Sequence, residues 1–159
     1  MKTTTATVLL KIVLVLSALA ILFVVCWGVP RYMGHVTYVR PSLGVWALPM
    51  DLYAAAMAVP VLVAIVLLWR VFDTLPKNEA FSLPNARRFR LIGRLALGDL
   101  GLVLILAAFL IISGVIPAFI LLCLLGATYV GVVAAIVFHV LAALVGRAAE
   151  IEQDNELTI

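Results

Sequence analysis

The chain has 159 residues, 66% of them hydrophobic and 12% charged, with a formal net charge of +3; soluble domains are about 45–50% apolar and about 25% charged. These values exclude a disordered chain, a disulfide-stapled mini-protein and an ordinary water-soluble domain, because there is too little charge to cover a solvated surface. The solvent for most of this chain is lipid.

A membrane helix needs about 20 largely apolar residues to cross a hydrocarbon layer roughly 30 Å thick. Uncharged runs are therefore the quantity to measure. The first runs from Ile12 to Pro30, between Lys11 and Arg31, and predicts a helix over 6–29. Lys2 and Lys11 precede it and Ala18-Leu19-Ala20 resembles a cleavage site. The apolar run continues to Trp27, however, and outlasts the roughly 7–15 residues of a signal-peptide core, so it is read as a retained span. The second run, Leu52 to Trp69, predicts a helix over 51–72. The third, Leu100 to Gly146, is 47 residues without a charge, too long for one crossing. It must fold back at Ser113-Gly114-Val115-Ile116-Pro117, where glycine and proline interrupt the helix. Helices over 83–113 and 117–148 result, followed by an acidic tail over 149–159. The fold class is all-α: one membrane domain over 1–159, an integral four-helix bundle built from two helical hairpins.

Four crossings put the N-terminus, the middle loop and the C-terminus on one side. Lys2, Lys11, Arg70, Lys77, Arg87, Arg88, Arg90, Arg94 and Arg147 lie there, whereas only Arg31 and Arg40 lie opposite. Lysine and arginine accumulate in cytoplasmic loops, which predicts a multi-pass protein of the cell membrane with both termini cytoplasmic. Topology thus accounts for the basic balance, and no direct nucleic-acid binding is expected. Cys26 and Cys123 read as two unpaired apolar thiols.

The middle loop carries the densest charge. Ser82 and Pro84 mark a helix start, and Arg87, Arg88, Arg90 and Arg94 follow on its polar side, with Phe89, Ile92 and Ala96 forming an apolar stripe. A basic amphipathic start of this kind rests among anionic headgroups, each arginine contributing about 1 kcal/mol. It anchors the helix, and it also offers a docking surface to a cytosolic partner. The tail has the opposite sign, with Glu150, Glu152, Asp154 and Glu156, and could pair with the basic helix in a closed state.

In the last helix Ala127, Gly131, Ala135, His139 and Ala143 recur at every fourth position, a small-residue stripe for close helix packing and for a homo-oligomer. His139 on that stripe is expected to face protein. Intramembrane ionisable groups are functional candidates by default, which singles out Asp99 and His139. A hairpin turning near Val115-Ile116 sets His139 level with about residue 92, roughly 10 Å from Asp99 along the helix axis. Arg94, Tyr129 or water are then the expected partners of Asp99. The chain offers no catalytic constellation, metal cluster or cofactor-binding loop, so no enzyme activity and no cofactor are expected.

Two stretches resemble a known family. The segment Asn78-Glu79-Ala80-Phe81-Ser82-Leu83-Pro84-Asn85-Ala86-Arg87-Arg88-Phe89-Arg90-Leu91-Ile92-Gly93 is similar to the inner-loop signature of the DUF2975 family of small four-helix bacterial membrane proteins. The ending Ala148 to Ile159, closing on Glu156-Leu157-Thr158-Ile159, is similar to that family's acidic terminus. The chain departs from the pattern at Glu79-Ala80 and in its polar, proline-containing outer loop. The resemblance implies a bacterial cytoplasmic-membrane protein encoded beside a small helix-turn-helix regulator, with no catalytic residues to carry over. The expected function is regulatory: binding such a small cytosolic transcriptional regulator through Arg87, Arg88, Arg90, Arg94 and the acidic tail. The alternative is a small transporter or channel subunit using Asp99 and His139.

Overall fold

Backbone N–H and C=O groups have no water to bond in hydrocarbon, so a crossing segment must satisfy them internally, as a helix does. The structure, a computed structural model, describes residues 3–77, 80–112 and 118–156. Its helices are α1 (Thr3–Phe23), α2 (Val29–Val39), α3 (Ala47–Phe72), α4 (Leu83–Ile112) and α5 (Ala118–Glu156). A π-turn, Val24–Gly28, joins α1 to α2 without a break, and 3-10 turns cover Pro41–Trp46 and Leu75–Lys77. Four stretches are long and apolar enough to cross a membrane: Thr5–Val39, Pro41–Lys77, Leu83–Ile112 and Phe119–Gln153. The expected turn at Ser113 to Pro117 lies outside the described residues.

Three elements run further than expected. The first rod reaches Val39 rather than residue 29, and α3 starts at Ala47 rather than 51. Arg31 and Asp51 end an apolar run, but a charge ends a membrane span without ending a helix. Pro30 does not stop the rod either. The N–H of Val29 reaches back five residues to the carbonyl of Val24, and this wider turn accommodates a proline ring at the start of α2. The third extension is α5, whose 39 residues run through Glu156, about 58 Å at 1.5 Å per residue. The acidic segment from 149 is therefore a helical continuation up to that point.

Lys11 on α1 pairs with Asp73 after α3; the Tyr53 hydroxyl of α3 donates to the Leu102 carbonyl of α4 at 2.6 Å, and Trp46 meets Phe109 with ring centroids 5.1 Å apart. Between α4 and α5, Gly93 faces His139, Leu100 faces Gly131 and Ala86 faces Gly146. Each helix packs on its chain neighbours, α4 most extensively on α5. Among the described residues no Cα approach within 8 Å joins α1 or α2 to α4 or α5. The arrangement is an open row, not a closed bundle, because lipid solvates the outer faces as well as protein would and association rests on close packing alone.

The row is pinned at two levels. Near one boundary Lys11 pairs with Asp73 and sits over the Trp69 ring at 5.0 Å. Near the other, Arg31 lies over the Trp27 ring at 5.3 Å, and Trp27 stacks on Phe23. Lys11 and Arg31 are separated by about 30 Å of helix, the thickness of the hydrocarbon layer.

Five of the eleven buried apolar residues are alanines: Ala58, Ala86, Ala135, Ala142 and Ala149. Small side chains let the helix backbones approach closely. On α5 the buried line is Leu124, Ala135, Ala142, Val145 and Ala149, with half-buried Thr128, Gly131 and Phe138 between them. These steps alternate between three and four. The every-fourth stripe predicted above is therefore corrected at both ends: Gly131 and Ala135 lie on the contact, but Ala127 and Ala143 are exposed. A row of every fourth residue is inclined about 26° to the helix axis, so it winds off a long contact between nearly antiparallel helices. Ala142→Leu is expected to cost about 1–3 kcal/mol by overpacking, and Ala143→Leu less than about 0.5 kcal/mol. Thermal unfolding in detergent distinguishes the two; equal effects would restore the straight stripe.

Candidate functional site

The connection from α3 to α4 is organised by one side chain. Pro84 occupies the first turn of α4, where a missing N–H leaves no bond unmade, and the N–H of Ala86 bonds the Ser82 carbonyl at 3.0 Å. This turn carries Asn85 inward until its side chain is wholly buried. The Asn85 amide nitrogen donates to Thr74 Oγ1 at 2.7 Å and to the Ala80 carbonyl at 3.1 Å. Its oxygen accepts from Arg88 Nη1 at 2.7 Å. The same guanidinium nitrogen reaches the Arg70 carbonyl at 3.4 Å, and Thr74 Oγ1 donates to the Val71 carbonyl at 2.6 Å. Asn85 thus ties the end of α3 to the start of α4.

The four arginines consequently divide. Arg88 is half-buried and committed to Asn85 and the end of α3, whereas Arg87, Arg90 and Arg94 are exposed and make no ion pair among the described residues. Phe89, Ile92 and Ala96 do form the inward stripe, with Ile92 buried and Phe89 stacked on Phe138. Gly146 lies opposite Ala86, so α5 passes the basic start of α4 and carries exposed Glu150 and Glu152 beyond it. The side chains of Asp154 and Glu156 lie outside the described residues. Among the described residues Glu150 and Glu152 pair with none of these arginines, and Lys11–Asp73 is the ion pair found there. An exposed pair contributes only about 0–1 kcal/mol, too little to bend a continuous helix back onto its neighbour. The acids instead crowd a helix C-terminus, where the macrodipole disfavours negative charge and acids four apart repel.

Asp99 and His139 are not brought together. His139 packs against Gly93, one level from the expected position, which leaves it about 9 Å along the axis from Asp99. Its Nδ1 lies 2.8 Å from the Ala135 carbonyl; a carbonyl only accepts, so Nδ1 is the donor in this contact. The ring thus meets α4 at Gly93, while the residue as a whole remains exposed. Asp99 Oδ1 is buried with no hydrogen-bond partner among the described residues, as is Asp51 Oδ1. Arg94 and Tyr129, expected near Asp99, are both exposed. The polar group α3 brings to this level is Tyr53, bonded to Leu102 one turn above Asp99.

A further feature has no counterpart in the sequence reading. Between α2, the start of α3 and the adjoining ends of α4 and α5 lies a cavity of about 940 Å³, with Tyr32, His35, Arg40, Tyr53, Phe109 and Phe119 among its walls. Residues this far apart in sequence carry no local signal of a shared wall.

The model of the family described as protein of unknown function (DUF2975) matches residues 4–159. The chain belongs to this family. No curated protein matches it, and no solved structure does. The DUF2975-like segment 78–93 acquires a physical meaning from the geometry above. Asn85, Ala86, Ile92 and Gly93 are all buried, Asn85 closing the α3–α4 connection, while Ala86 and Gly93 meet α5. Asn78 and Glu79, and the Leu157-Thr158-Ile159 ending, lie outside the described residues.

Proposed function

We propose that this DUF2975 member is a non-enzymatic, regulatory membrane protein that docks a small cytosolic helix-turn-helix regulator on its basic face. The observation carrying this reading is the exposed set Arg87, Arg90 and Arg94, unpaired among the described residues, at the same end of the row as exposed Glu150 and Glu152. Charges of both signs that a chain leaves unused, one group at a disfavoured helix end, gain most from a partner of complementary pattern. Arg88 belongs to the internal connection and is not part of the surface. In this reading the basic face and both termini are cytoplasmic in a bacterial inner membrane, the side favoured by the lysine and arginine excess, and anionic headgroups solvate the arginines not covered by the partner.

The test is co-purification in detergent with the regulator encoded beside the protein. Arg87→Glu with Arg90→Glu is expected to lower recovery about tenfold or more, since attraction becomes repulsion across the contact. A complex indifferent to both this pair and truncation after Ala149 would overturn the reading, as would no complex at all. The transporter alternative draws less support, because Asp99 and His139 are a turn and a half apart and the His139 Nδ1 proton is already bonded to a carbonyl.

A further inference from the structure

The cavity of about 940 Å³ lies at the end of the row remote from the basic face, and its size is that of a small-molecule site, about 300–1,000 Å³. Its depth is graded. Along α3 the lining runs from Trp46 and Tyr53, which meet Phe109 and Leu102 of α4, to apolar Ala54 and Met57 further into the span; Tyr32, His35 and Arg40 line it from α2. Arg31 marks the nearby membrane boundary on the same rod, so α2 carries Tyr32, His35 and Arg40 from that level into the headgroup zone, while the apolar walls reach below it. Arg40 and His35 are exposed, and neither side chain has a partner among the described residues.

The opening has a structural cause. The π-turn ends at Gly28, and Val29, the next residue, is the first to line the cavity. The extra residue in that turn offsets α2 from the line of α1, and α2 packs on α3 without a close backbone approach to α4 or α5. A gap open to the bilayer at hydrocarbon depth fills with acyl chain, since water there would meet no polar partners.

We propose that this cavity binds an anionic phospholipid taken from the adjoining leaflet, its acyl chain lying against Met57 and Ala54 and its phosphate held by Arg40 and His35. Charge selects the occupant: of the two arginines on this side of the membrane, Arg40 lines the cavity, and a zwitterionic lipid brings no net charge to match it. The guanidinium offers paired donors to phosphate oxygens and the imidazole one more.

The experiment uses the full chain in lipid nanodiscs, with Trp27→Phe and Trp69→Phe leaving Trp46 as the fluorophore in the cavity wall. Brominated phosphatidylglycerol is expected to quench Trp46 at a mole fraction about fivefold lower than brominated phosphatidylcholine, the preference one arginine supplies near an anionic head. Arg40→Gln with His35→Gln removes the preference while leaving quenching by phosphatidylcholine unchanged. Ala54→Phe, with Trp46 kept as the fluorophore, blocks the deep part and lowers quenching of Trp46 by both lipids. Equal quenching by the two lipids overturns the proposal, and so does a preference that survives loss of Arg40 and His35. A doubled particle mass with Trp46 shielded from both lipids assigns the cavity to a second copy instead. If the tryptophan variants fail to fold, native mass spectrometry of the unmodified chain against Arg40→Gln decides: retained phosphatidylglycerol falls several-fold, or the proposal fails.

Discussion

Asn85→Ala is expected to destabilise the protein by about 2–4 kcal/mol, the largest effect of any single polar substitution on the basic face. Among the described residues the fully buried amide donates to Thr74 and Ala80 and accepts from Arg88. Its loss leaves the Ala80 carbonyl and the Arg88 guanidinium short of a partner, and unsatisfied buried groups cost about 1–3 kcal/mol each, charged ones more. Asn85→Asp is the informative companion. A carboxylate accepts from Arg88 but cannot donate to Thr74 or Ala80, and it sets negative charge against a carbonyl oxygen, so it should not rescue. The thermal midpoint in detergent reads global stability, and the rate of tryptic cleavage at exposed Lys77 reads opening of the connection. Wild-type stability of Asn85→Asp would reduce the role of Asn85 to charge balance for Arg88.

Gly93→Ala is expected to cost about 1–3 kcal/mol, the usual range for overpacking a tight contact. A methyl at this position would lie 2.5 Å from Nδ1 and 2.7 Å from Cε1 of His139. The ring must leave, which breaks its bond to the Ala135 carbonyl. His139→Ala alone loses that bond, but the double substitution should recover most of the loss from Gly93→Ala, giving strong coupling in a double-mutant cycle. Gly98→Ala is the control. No atom lies within 4 Å of its added methyl, and exchanging glycine for alanine inside a helix favours the fold by about 0.8–1 kcal/mol. Additive effects at Gly93 and His139 would contradict the contact.

The spans were legible because lipid imposes a length on uncharged sequence, and Lys11, Arg31, Asp51 and Arg70 bracket two of them directly. The level of His139 was legible too: a turn near Val115-Ile116 placed it beside about residue 92, and it meets Gly93. The continuation of the first rod through Arg31 to Val39 was not, since charge marks where hydrocarbon ends and says nothing of where hydrogen bonding ends. The stripe on α5 went astray at Ala127 and Ala143 because a composition of small residues fixes a face only to within the drift of the helix. Asn85 gave no signal of its burial, because its wholly buried amide depends on Thr74 and Ala80, which the chain brings around only on folding.

The open row also bears on how the protein is made. Among the described residues, every close contact between spans joins one span to the next in the chain, so no span has to wait for a distant one before its packing face is covered. Each can be docked as it leaves the insertion machinery, with low contact order and no late threading step. The last pair to form, α4 with α5, is also the most extensively packed. Its completion, with Gly93 closing on His139, is the natural final checkpoint of biogenesis. Damage there should be met by membrane quality control rather than seen as a folded but inactive product.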